Sequence, residues 1–529
     1  DASVYTKDNS AAYPVLDLQA PIYVVASYAT TNGSGFNTTT HTYAGAKVHQ
    51  TGRGYLGFRV VTETAPNGIR STTTYRQDYP YIGLPTQVDV QQPNGGLLSR
   101  TLTTWNAINY GGGRYLPYAQ STTASSYELN GALITSATTV NDLLDSYGNV
   151  GRTTVTHSDN HKKVVLSSYD NDTANWRLGR PTSSQVTSTL PNGQSQTRTS
   201  NFSYHATTGL LIKDIIEPGT ALALTTDTAY DAYGHKASVT VSGPGIVTRT
   251  STFAYLTSPG EAFAQTRSTN ALGHSETQVL DARFGVPVSL TGPNGLTTTW
   301  AYDGFGRKIQ ETRADGTSSS WSYSACGGQS YEIKVIATGA PTRFTCYNTL
   351  GREWLRGTQG FDGQYVHVGT QYDEYGRVLT TSRPHAIPFQ RKTFYGSDLL
   401  GRVVIETQPT NLTTRYTYQG LSTTVTVSGV LPSGSQSTTQ IKNSQGQLVQ
   451  TIDAAGNSTT YSYDPFGNLV KVVDAKSNIL TMGYDLRGRK TSMVDPDMGS
   501  WIYQYNALGE LTYQLDAKNQ AVTMQYDVL

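Results

Sequence analysis

A 21-residue period near the C-terminus constrains the fold of this chain more than any other feature. The pattern Tyr-Asp-x-x-Gly, or a close variant, starts at Tyr463, Tyr484, Tyr505 and Tyr526. A second series with Asp at its first position lies between these motifs, at Asp453, Asp474, Asp495 and Asp516. A fixed period of about 20 to 50 residues is the sequence signature of a repeat array. The chain is therefore predicted to reuse one small unit that carries two turns.

The turn chemistry is clearest in the segment from Asp464 to Gly467. Asp suits the first position of a type I turn, Pro465 suits the second, and Gly467 can adopt the left-handed conformation that closes a bulged hairpin. The residues before the turn alternate between the two faces of a strand, with Tyr461 and Tyr463 on one face. Each unit is predicted to be a β-hairpin with strands of about 6–8 residues, joined to the next in one continuous sheet.

Similar turns recur upstream at looser spacing. Insertions between repeats, such as Pro384 to Pro388, are expected to bulge from one rim of the sheet. The predicted structural turn residues are Tyr230, Asp231, Gly234, Tyr302, Asp303, Gly306, Arg307, Tyr372, Asp373, Gly376, Arg377, Tyr463, Asp464, Gly467, Tyr484, Asp485, Gly488 and Arg489.

Composition supports an all-β fold and narrows the choice of partners. The chain has 529 residues, more than a single core normally accommodates, so it is either several domains or a stacked array. It contains 36 Tyr with many Thr and Ser, which favour strands, and no sustained helical pattern. A net charge of +1 without a basic block argues against nucleic acid as a partner. No apolar run is long enough to predict a membrane span.

The division of the chain is predicted from where the repeats begin. Residues 1–40 lack the pattern and are expected to be an entry segment or the tail of a preceding domain. Residues 41–529 are expected to be one repeat array, truncated at its C-terminal end because the last motif stops at Tyr526-Asp527. The start, Asp1-Ala2, does not resemble a natural initiator, so the chain is expected to be part of a longer protein.

The two cysteines, Cys326 and Cys346, leave two interpretations open. They lie on neighbouring strand-like segments and can form a disulfide in an exported protein, or they can be two small buried thiols. Neither has the spacing of a metal ligand.

No catalytic, cofactor-binding or metal site is predicted. Recurrence of Asp at every turn argues for a structural role, because a catalytic carboxylate pair is needed only once. His157 and His161 are interpreted as part of a turn. The acidic segment from Tyr169 to Thr173 is also interpreted as a turn rather than a calcium-binding loop. The tyrosines are interpreted as cross-strand pairs, with sugar binding or a cavity lining as the alternative.

The segments from Tyr302 to Arg307, Tyr372 to Arg377 and Tyr484 to Arg489 carry Tyr-Asp-x-x-Gly-Arg. On these motifs the chain resembles the Rhs/YD-repeat family, which includes bacterial Rhs polymorphic toxins and the B/C-type shell proteins of Tc toxins. The segment from Gly52 to Phe58 resembles the opening of the Rhs region in Tc-toxin B components, and that from Asp495 to Trp501 resembles a stretch of large Rhs proteins.

The resemblance implies a sheet that spirals into a hollow cocoon, left open here because the chain is a fragment. It implies a non-catalytic shell segment of a secreted or cell-surface bacterial protein that encapsulates a C-terminal toxin or effector polypeptide of the same full-length protein. A propeller-like N-terminal domain or a delivery machinery is the further partner it implies, with roles in virulence or interbacterial competition. The self-cleaving core that closes such shells has no counterpart in this sequence. The alternative hypotheses are an exported surface repeat protein, such as an adhesin or carbohydrate-binding surface, and an enzyme with a site between repeats.

Overall fold

The described part of the chain is built from β-strands. The computed structural model describes residues 2–256, 264–328, 330–429 and 434–529, and within these ranges there are 44 strands and no helix. Asp1, the first residue of the expected entry segment, lies outside the described residues. No helix long and apolar enough to cross a bilayer occurs within the same ranges.

The first 22 strands are β1 (Tyr5–Thr6), β2 (Val15–Asp17), β3 (Ser27–Thr31), β4 (Phe36–Ala44), β5 (Lys47–His49), β6 (Gly54–Tyr55), β7 (Val60–Thr64), β8 (Arg70–Tyr75), β9 (Pro85–Gln91), β10 (Leu97–Asn109), β11 (Tyr115–Tyr127), β12 (Leu133–Leu144), β13 (Val150–His157), β14 (Lys162–Asp172), β15 (Arg177–Thr189), β16 (Ser195–Tyr204), β17 (Leu211–Ile216), β18 (Leu224–Tyr230), β19 (Lys236–Ser242), β20 (Arg249–Tyr255), β21 (Gln265–Thr269) and β22 (Ser275–Asp281).

The remaining strands are β23 (Val286–Thr291), β24 (Thr297–Tyr302), β25 (Lys308–Thr312), β26 (Ser318–Ala325), β27 (Tyr331–Ala337), β28 (Arg343–Tyr347), β29 (Glu353–Gln359), β30 (Tyr365–Tyr372), β31 (Val378–Ser382), β32 (Lys392–Ser397), β33 (Val403–Thr407), β34 (Thr413–Gln419), β35 (Ser422–Ser428), β36 (Ser435–Lys442), β37 (Leu448–Ile452), β38 (Ser458–Tyr463), β39 (Leu469–Val473), β40 (Ile479–Tyr484), β41 (Lys490–Asp495), β42 (Gly499–Tyr505), β43 (Leu511–Leu515) and β44 (Ala521–Thr523).

Strand length departs from the expected 6–8 residues in both directions. Five-residue strands are common in the late repeats, whereas β10, β11 and β15 each have 13 residues. In β10 the sequence from Leu97 to Asn109 contains no Gly, Pro or Asp that would favour a turn. The strand therefore continues until the glycine-rich segment that follows it.

Most strands pair antiparallel with the strand before and after them in sequence, as the hairpin pattern predicts. In β38 and β39, for example, Thr460 pairs with Val473, and the register shifts by one residue between Ser462 and Tyr463. This shift is the bulge expected from a turn that ends with a left-handed glycine. The bulge recurs next to many other turns that carry the Tyr-Asp motif, including those that follow β18, β24 and β42.

The chain divides into two compact units. Unit 1 contains Asp1–Thr197, Glu374–Gly376 and Tyr395–Leu480, and unit 2 contains Arg198–Asp373, Arg377–Phe394 and Thr481–Leu529. Each unit therefore combines an early segment of the sequence with a late one. The boundary expected near residue 40 marks where the repeat pattern begins in the sequence. The division into two compact units does not test it, so it stays a prediction.

The N-terminal residues of unit 1 depart from simple hairpin order. Strand β1 pairs in parallel with β4, and β4 pairs on its other side with β7. Strands β2, β5 and β6 form a separate three-stranded sheet.

Buried apolar side chains are few among the described residues. They are Ala46, Leu56, Leu98, Cys346 and Ala507. Several buried polar side chains lie in turns rather than in the middle of strands, among them Gln92, Glu128, His161, Glu217 and Asp464. The remaining buried polar side chains lie within strands. Buried polar groups are retained where they have partners, so such contacts occur in turns as well as in strands.

The insertion at Pro384 to Pro388 lies against the sheet instead of bulging from its rim. His385 exchanges two backbone hydrogen bonds with His367 of β30. Just beyond the insertion, the Phe389 ring stacks on Trp354 with centroids 6.0 Å apart and covers Gly369, where a side chain would collide with it. Burial of this aromatic ring accounts for the inward course of the loop.

Candidate functional site

The turn after β38 shows how one Tyr-Asp motif is built. Asp464 Oδ1 accepts hydrogen bonds from the backbone N–H of Phe466 and of Asn468, each at 2.9 Å. The Gly467 N–H donates to the Asp464 carbonyl at 3.0 Å, and Gly467 has a φ of 88°. The aspartate therefore satisfies the backbone of the turn, and glycine supplies the left-handed position.

The fifth residue of the turn contacts the aspartate carboxylate with a side-chain nitrogen. Asn468 Nδ2 donates to Asp464 Oδ2 at 2.8 Å, and Arg307 Nε donates to Asp303 Oδ2 at 2.7 Å. His235 takes the same position, with Nδ1 2.9 Å from Asp231 Oδ2. These residue types share a side-chain donor, which explains why Arg, Asn and His alternate at this position.

The motif tyrosine connects its turn to the neighbouring strand. The Tyr463 hydroxyl donates to the Leu448 carbonyl at 2.7 Å, and burial raises the pKa of Tyr463. The same contact joins Tyr230 to Leu211, Tyr302 to Pro287, and Tyr372 to Glu353. The tyrosine thus links consecutive repeats at one edge of the sheet.

The motif arginine makes a second link between consecutive turns. The Arg307 guanidinium lies 4.2 Å from the centroid of the Tyr323 ring, and the Tyr323 hydroxyl donates to the carbonyl of Lys308. Arg307 is therefore held between the aspartate of its own turn and an aromatic ring of the next repeat. Equivalent stacks join Arg352 to Tyr372, Arg402 to Tyr418, and Arg489 to Tyr505. We call this chain of contacts the turn ladder.

Removing one tyrosine hydroxyl is expected to loosen the ladder locally. Tyr463→Phe leaves the Leu448 carbonyl without its donor and is expected to lower the free energy of local opening by about 1 kcal/mol. Hydrogen exchange of amides in β37 to β39 measures this. The control is Tyr461→Phe in the same strand, because the structure shows no hydrogen bond to the Tyr461 hydroxyl from any described residue. Equal effects of the two variants would contradict the assigned role.

The motif glycines and aspartates of the predicted turns have the following geometry. Gly234, Gly306, Gly376, Gly467 and Gly488 all have positive φ, between 75° and 88°. Asp373 and Asp485 each accept a hydrogen bond at 2.7 Å from the arginine four residues later, Arg377 and Arg489. The Tyr484 hydroxyl lies 3.7 Å from the sulfur of Met482.

Unit 1 contains a contact between turns that are far apart in sequence. Glu128 occupies the first position of its turn, where Asp usually stands, and its longer side chain reaches Arg402 with an oxygen–nitrogen distance of 2.9 Å. It also accepts a hydrogen bond from the N–H of Gly420 at 3.1 Å. Arg402 in turn donates to Asp398 of its own turn at 2.9 Å.

The electrostatics of this cluster favour the charged form of Arg402. The Glu128 and Asp398 side chains are only 6% and 9% exposed. Burial acts to lower the pKa of Arg402, but hydrogen bonds from its guanidinium to Glu128 and Asp398 raise it overall. One arginine therefore compensates two nearly buried carboxylates.

A second contact in unit 1 joins the turn before β14 to the turn after β36. Asp159 accepts hydrogen bonds from the Ser444 hydroxyl at 2.7 Å and from the Ser444 N–H at 3.1 Å. His161 Nδ1 lies 2.9 Å from the same carboxylate. Farther along, the Ser188 hydroxyl donates to the carbonyl of Pro465. We call these turn-to-turn contacts within a unit the seam.

The Asp159 contact predicts a specific pH dependence. Burial acts to raise the pKa of Asp159, but hydrogen bonds from Ser444 and His161 outweigh it and hold the pKa well below the usual range. A carboxyl with a depressed folded-state pKa stabilises above its unfolded pKa of about 3.9, and this stabilisation is lost only as the pH falls through the folded value.

Asp159→Asn is therefore expected to lower the stability of the seam by about 1–2 kcal/mol at pH 7, since the charge-assisted bonds are lost. The difference from the unmodified chain should persist down to about pH 4 and vanish at lower pH. Hydrogen exchange of the Ser444 amide across this range measures it. A difference that closes above pH 5 would contradict the assignment.

Unit 2 has a seam of the same kind. Arg249 Nη2 lies 2.8 and 2.9 Å from the two carboxylate oxygens of Glu510 and donates to the carbonyl of Asp527 at 2.9 Å. Nearby, Gly243 approaches Ala507 so closely that a Cβ at Gly243 would lie 2.6 Å from the Ala507 Cβ. These partners are 261 to 278 residues apart in sequence. Sequence reasoning missed the seams in both units.

The histidines, acidic residues and cysteines that were weighed as possible metal ligands take part in structural contacts. The turn from His157 to His161 forms as expected. Most of the acidic segment from Tyr169 to Thr173 lies in β14 rather than in a turn, because its residues pair with β15, where Asp170 forms an ion pair with Arg180. Cys326 and Cys346 form a disulfide with Cα atoms 5.9 Å apart, across the intervening strand β27 rather than between adjacent strands.

Comparisons with known proteins bear on the repeats and on the fold. The family model RHS Repeat matches residues 285–325 and 443–479. No curated protein sequence matches the chain. The crystal structure of TcdB2-TccC3 superposes with a TM-score of 0.75 at 12% identity, and the alignment covers 94% of this chain and 37% of that one.

Two related structures superpose on this chain with similar TM-scores. The crystal structure of TcdB2-TccC3-Cdc42 gives a TM-score of 0.73 at 11% identity, and the Photorhabdus luminescens Tc holotoxin pore with a mutated TccC3 gives 0.74 at 10% identity. Each alignment covers 93% of this chain and 39% of the other. The chain thus spans little more than a third of the length of the chains it matches. The predicted fold class, all-β with stacked hairpins in a long continuous sheet, is confirmed.

Proposed function

Since this chain belongs to the Rhs/YD-repeat family, we propose that it is a non-catalytic wall segment of a secreted Rhs-type shell that encloses a C-terminal toxin or effector polypeptide of the same full-length protein. The fold shared with TcdB2-TccC3 supports a shell-type repeat protein. Enclosure, export and the identity of the enclosed polypeptide are parts of the proposal.

The observation that carries the proposal is the seam within each unit. A wall that retains a polypeptide must have neighbouring turns of sheet that meet without a gap, and the seams join turns 261 to 292 residues apart. Between seams, each strand is held by backbone ladders to its neighbours and by the turn ladder at its edge. Sheet of this kind is expected to be stiff and slow to open.

A row of exposed apolar side chains in unit 2 supports a larger shell. They occupy the third position of turns at the same edge of the sheet, with Tyr233 66%, Phe305 84% and Leu350 38% exposed. Exposed apolar side chains in a row mark an interaction surface. Since Leu508, at the same turn position beside the seam of unit 2, is half-buried, we infer that another winding of the full-length shell covers this row.

A structural role also fits the state of the turn carboxylates. Asp303, Asp373, Asp464 and Asp485 each accept hydrogen bonds from the backbone and from a side chain of their own turn. A carboxylate engaged in this way is poorly placed to act as a general base. The partners proposed for the chain are the enclosed polypeptide and either a propeller-like N-terminal domain or a delivery machinery.

Intact mass spectrometry of the natively purified full-length gene product tests the enclosure. A C-terminal fragment that stays with the shell in native buffer and separates only after denaturation is the expected result. A single uncleaved chain with nothing retained would overturn self-cleaving encapsulation. That outcome would turn attention to the alternative of an exported binding surface, which glycan-binding measurements on the native chain would then examine.

A further inference from the structure

Cys326, Cys346 and Glu332 converge on one point of unit 2, although the sequence gives the cysteines no metal-ligand spacing. Cys326 follows β26, Glu332 lies in β27, and Cys346 lies in β28. Glu332 pairs directly with Cys346 across the two strands. The two sulfur atoms and a carboxylate oxygen all lie within 4.8 Å of one another.

We propose that the reduced chain binds one divalent cation of the zinc class through the Cys326 and Cys346 thiolates and the Glu332 carboxylate, and that the disulfide is the metal-free alternative of the same site. Two thiolates and a carboxylate are a ligand set that Zn²⁺ accepts, with water as the fourth ligand. Zn–S bonds of about 2.3 Å in a tetrahedral site place two sulfurs about 3.8 Å apart, a separation that these sulfurs can reach only after the disulfide is reduced.

The surroundings favour a cation over an unpaired carboxylate. Cys346 is fully buried, and Cys326 and Glu332 are half-buried. The one hydrogen bond to Glu332 from a described side chain is a long one of 3.4 Å from the Ser324 hydroxyl, and Glu332 forms no ion pair within the described ranges. A half-buried carboxylate beside two sulfurs lacks a cationic partner, and a bound metal ion would supply it.

The two states exclude each other because they use the same sulfur atoms. A dithiol reductant converts the disulfide to two thiols and is itself oxidised to a disulfide. Binding of the cation then replaces the two thiol protons, which are released to solvent. A reducing compartment therefore favours the metal-bound chain, and an oxidising one favours the disulfide.

Cadmium titration of the phosphine-reduced chain tests the proposal, with the ultraviolet thiolate-to-cadmium absorption as the readout and zinc competition as a second one. The expected result is one ion per reduced chain and none in the oxidised chain. Cys326→Ser and Cys346→Ser should each abolish the two-thiolate signal, and Glu332→Gln should weaken binding about tenfold or more, a typical cost of disturbing a metal site.

The matched control is Glu353→Gln on β29, whose carboxylate pairs with Arg356 and which should bind cadmium unchanged. Circular dichroism of the reduced chain should retain its β-sheet signal, since β26, β27 and β28 are joined by backbone ladders. Absence of the thiolate–cadmium absorption, loss of the sheet on reduction, or an unchanged affinity in Glu332→Gln would each overturn the three-ligand site. None of these outcomes depends on whether the chain encloses a polypeptide.

Discussion

Arg402→Met is expected to open the seam of unit 1 with a loss of about 3–5 kcal/mol in local stability. The substitution keeps an apolar stem of similar length but removes the cation between Glu128 and Asp398, which are both nearly buried. Removing one partner of a buried ion pair is costly because the other charge stays desolvated and unpaired. Hydrogen exchange at Gly420, whose N–H donates to Glu128, should accelerate about a hundredfold or more.

Arg152→Met is the matched control in the same unit. Arg152 pairs with Asp142, but both side chains are more than a third exposed, and a pair exposed to solvent contributes little. The control should leave exchange at Gly420 unchanged. If Arg402→Met behaved like Arg152→Met, the contact with Glu128 would not hold the seam.

Arg249→Met should have an effect of similar size in unit 2, about 3–5 kcal/mol. The Arg249 and Glu510 side chains are 17% and 19% exposed, and Arg249 also donates to the Asp527 carbonyl. Loss of the guanidinium leaves the carboxylate of Glu510 with only the contacts of its own turn. Faster hydrogen exchange in the turns on both sides of this contact, at residues 243–249 and 506–510, is the expected readout.

Arg283→Met serves as the comparison in unit 2. Arg283 forms an ion pair with Asp281 within one turn, and its side chain is 71% exposed. It should leave exchange at residues 506–510 as in the unmodified chain. Equal acceleration by both substitutions would indicate a general loss of charge rather than an opened seam.

Local structure was predictable because the residues that determine each turn lie within the turn itself. The Asp464 turn formed as its sequence indicates, since Asp, Pro and Gly each favour one position of a bulged hairpin. The alternation of Tyr461 and Tyr463 indicated the strand before it. These interactions join residues that are close in sequence. The 21-residue period shows the same pattern in several repeats.

The links between turns were harder to predict for two physical reasons. The role of Arg307 involves Tyr323, one repeat further on, and a motif read within one turn explains only its bond to Asp303. The seam joins Glu128 to Arg402 across 274 residues, and nothing in a single sequence specifies which turns meet. Strand length also escaped prediction, since β10, β11 and β15 each have 13 residues.

The turn ladder and the seam together explain why polar residues recur at the turns of a sheet with so little apolar core. Burial at the turns is compensated by carboxylate hydrogen bonds and arginine contacts rather than by hydrophobic packing. Such contacts are directional, so they fix which turns meet. We therefore attribute the cohesion of the sheet to its edges.

Protease protection of the enclosed polypeptide that we propose, measured in the natively purified full-length gene product, tests the central claim most directly. If this chain forms part of a closed wall, that polypeptide should resist digestion until the wall is denatured, and Arg402→Met should make it accessible sooner. Digestion of the polypeptide at the same rate in native and denatured samples would contradict the account.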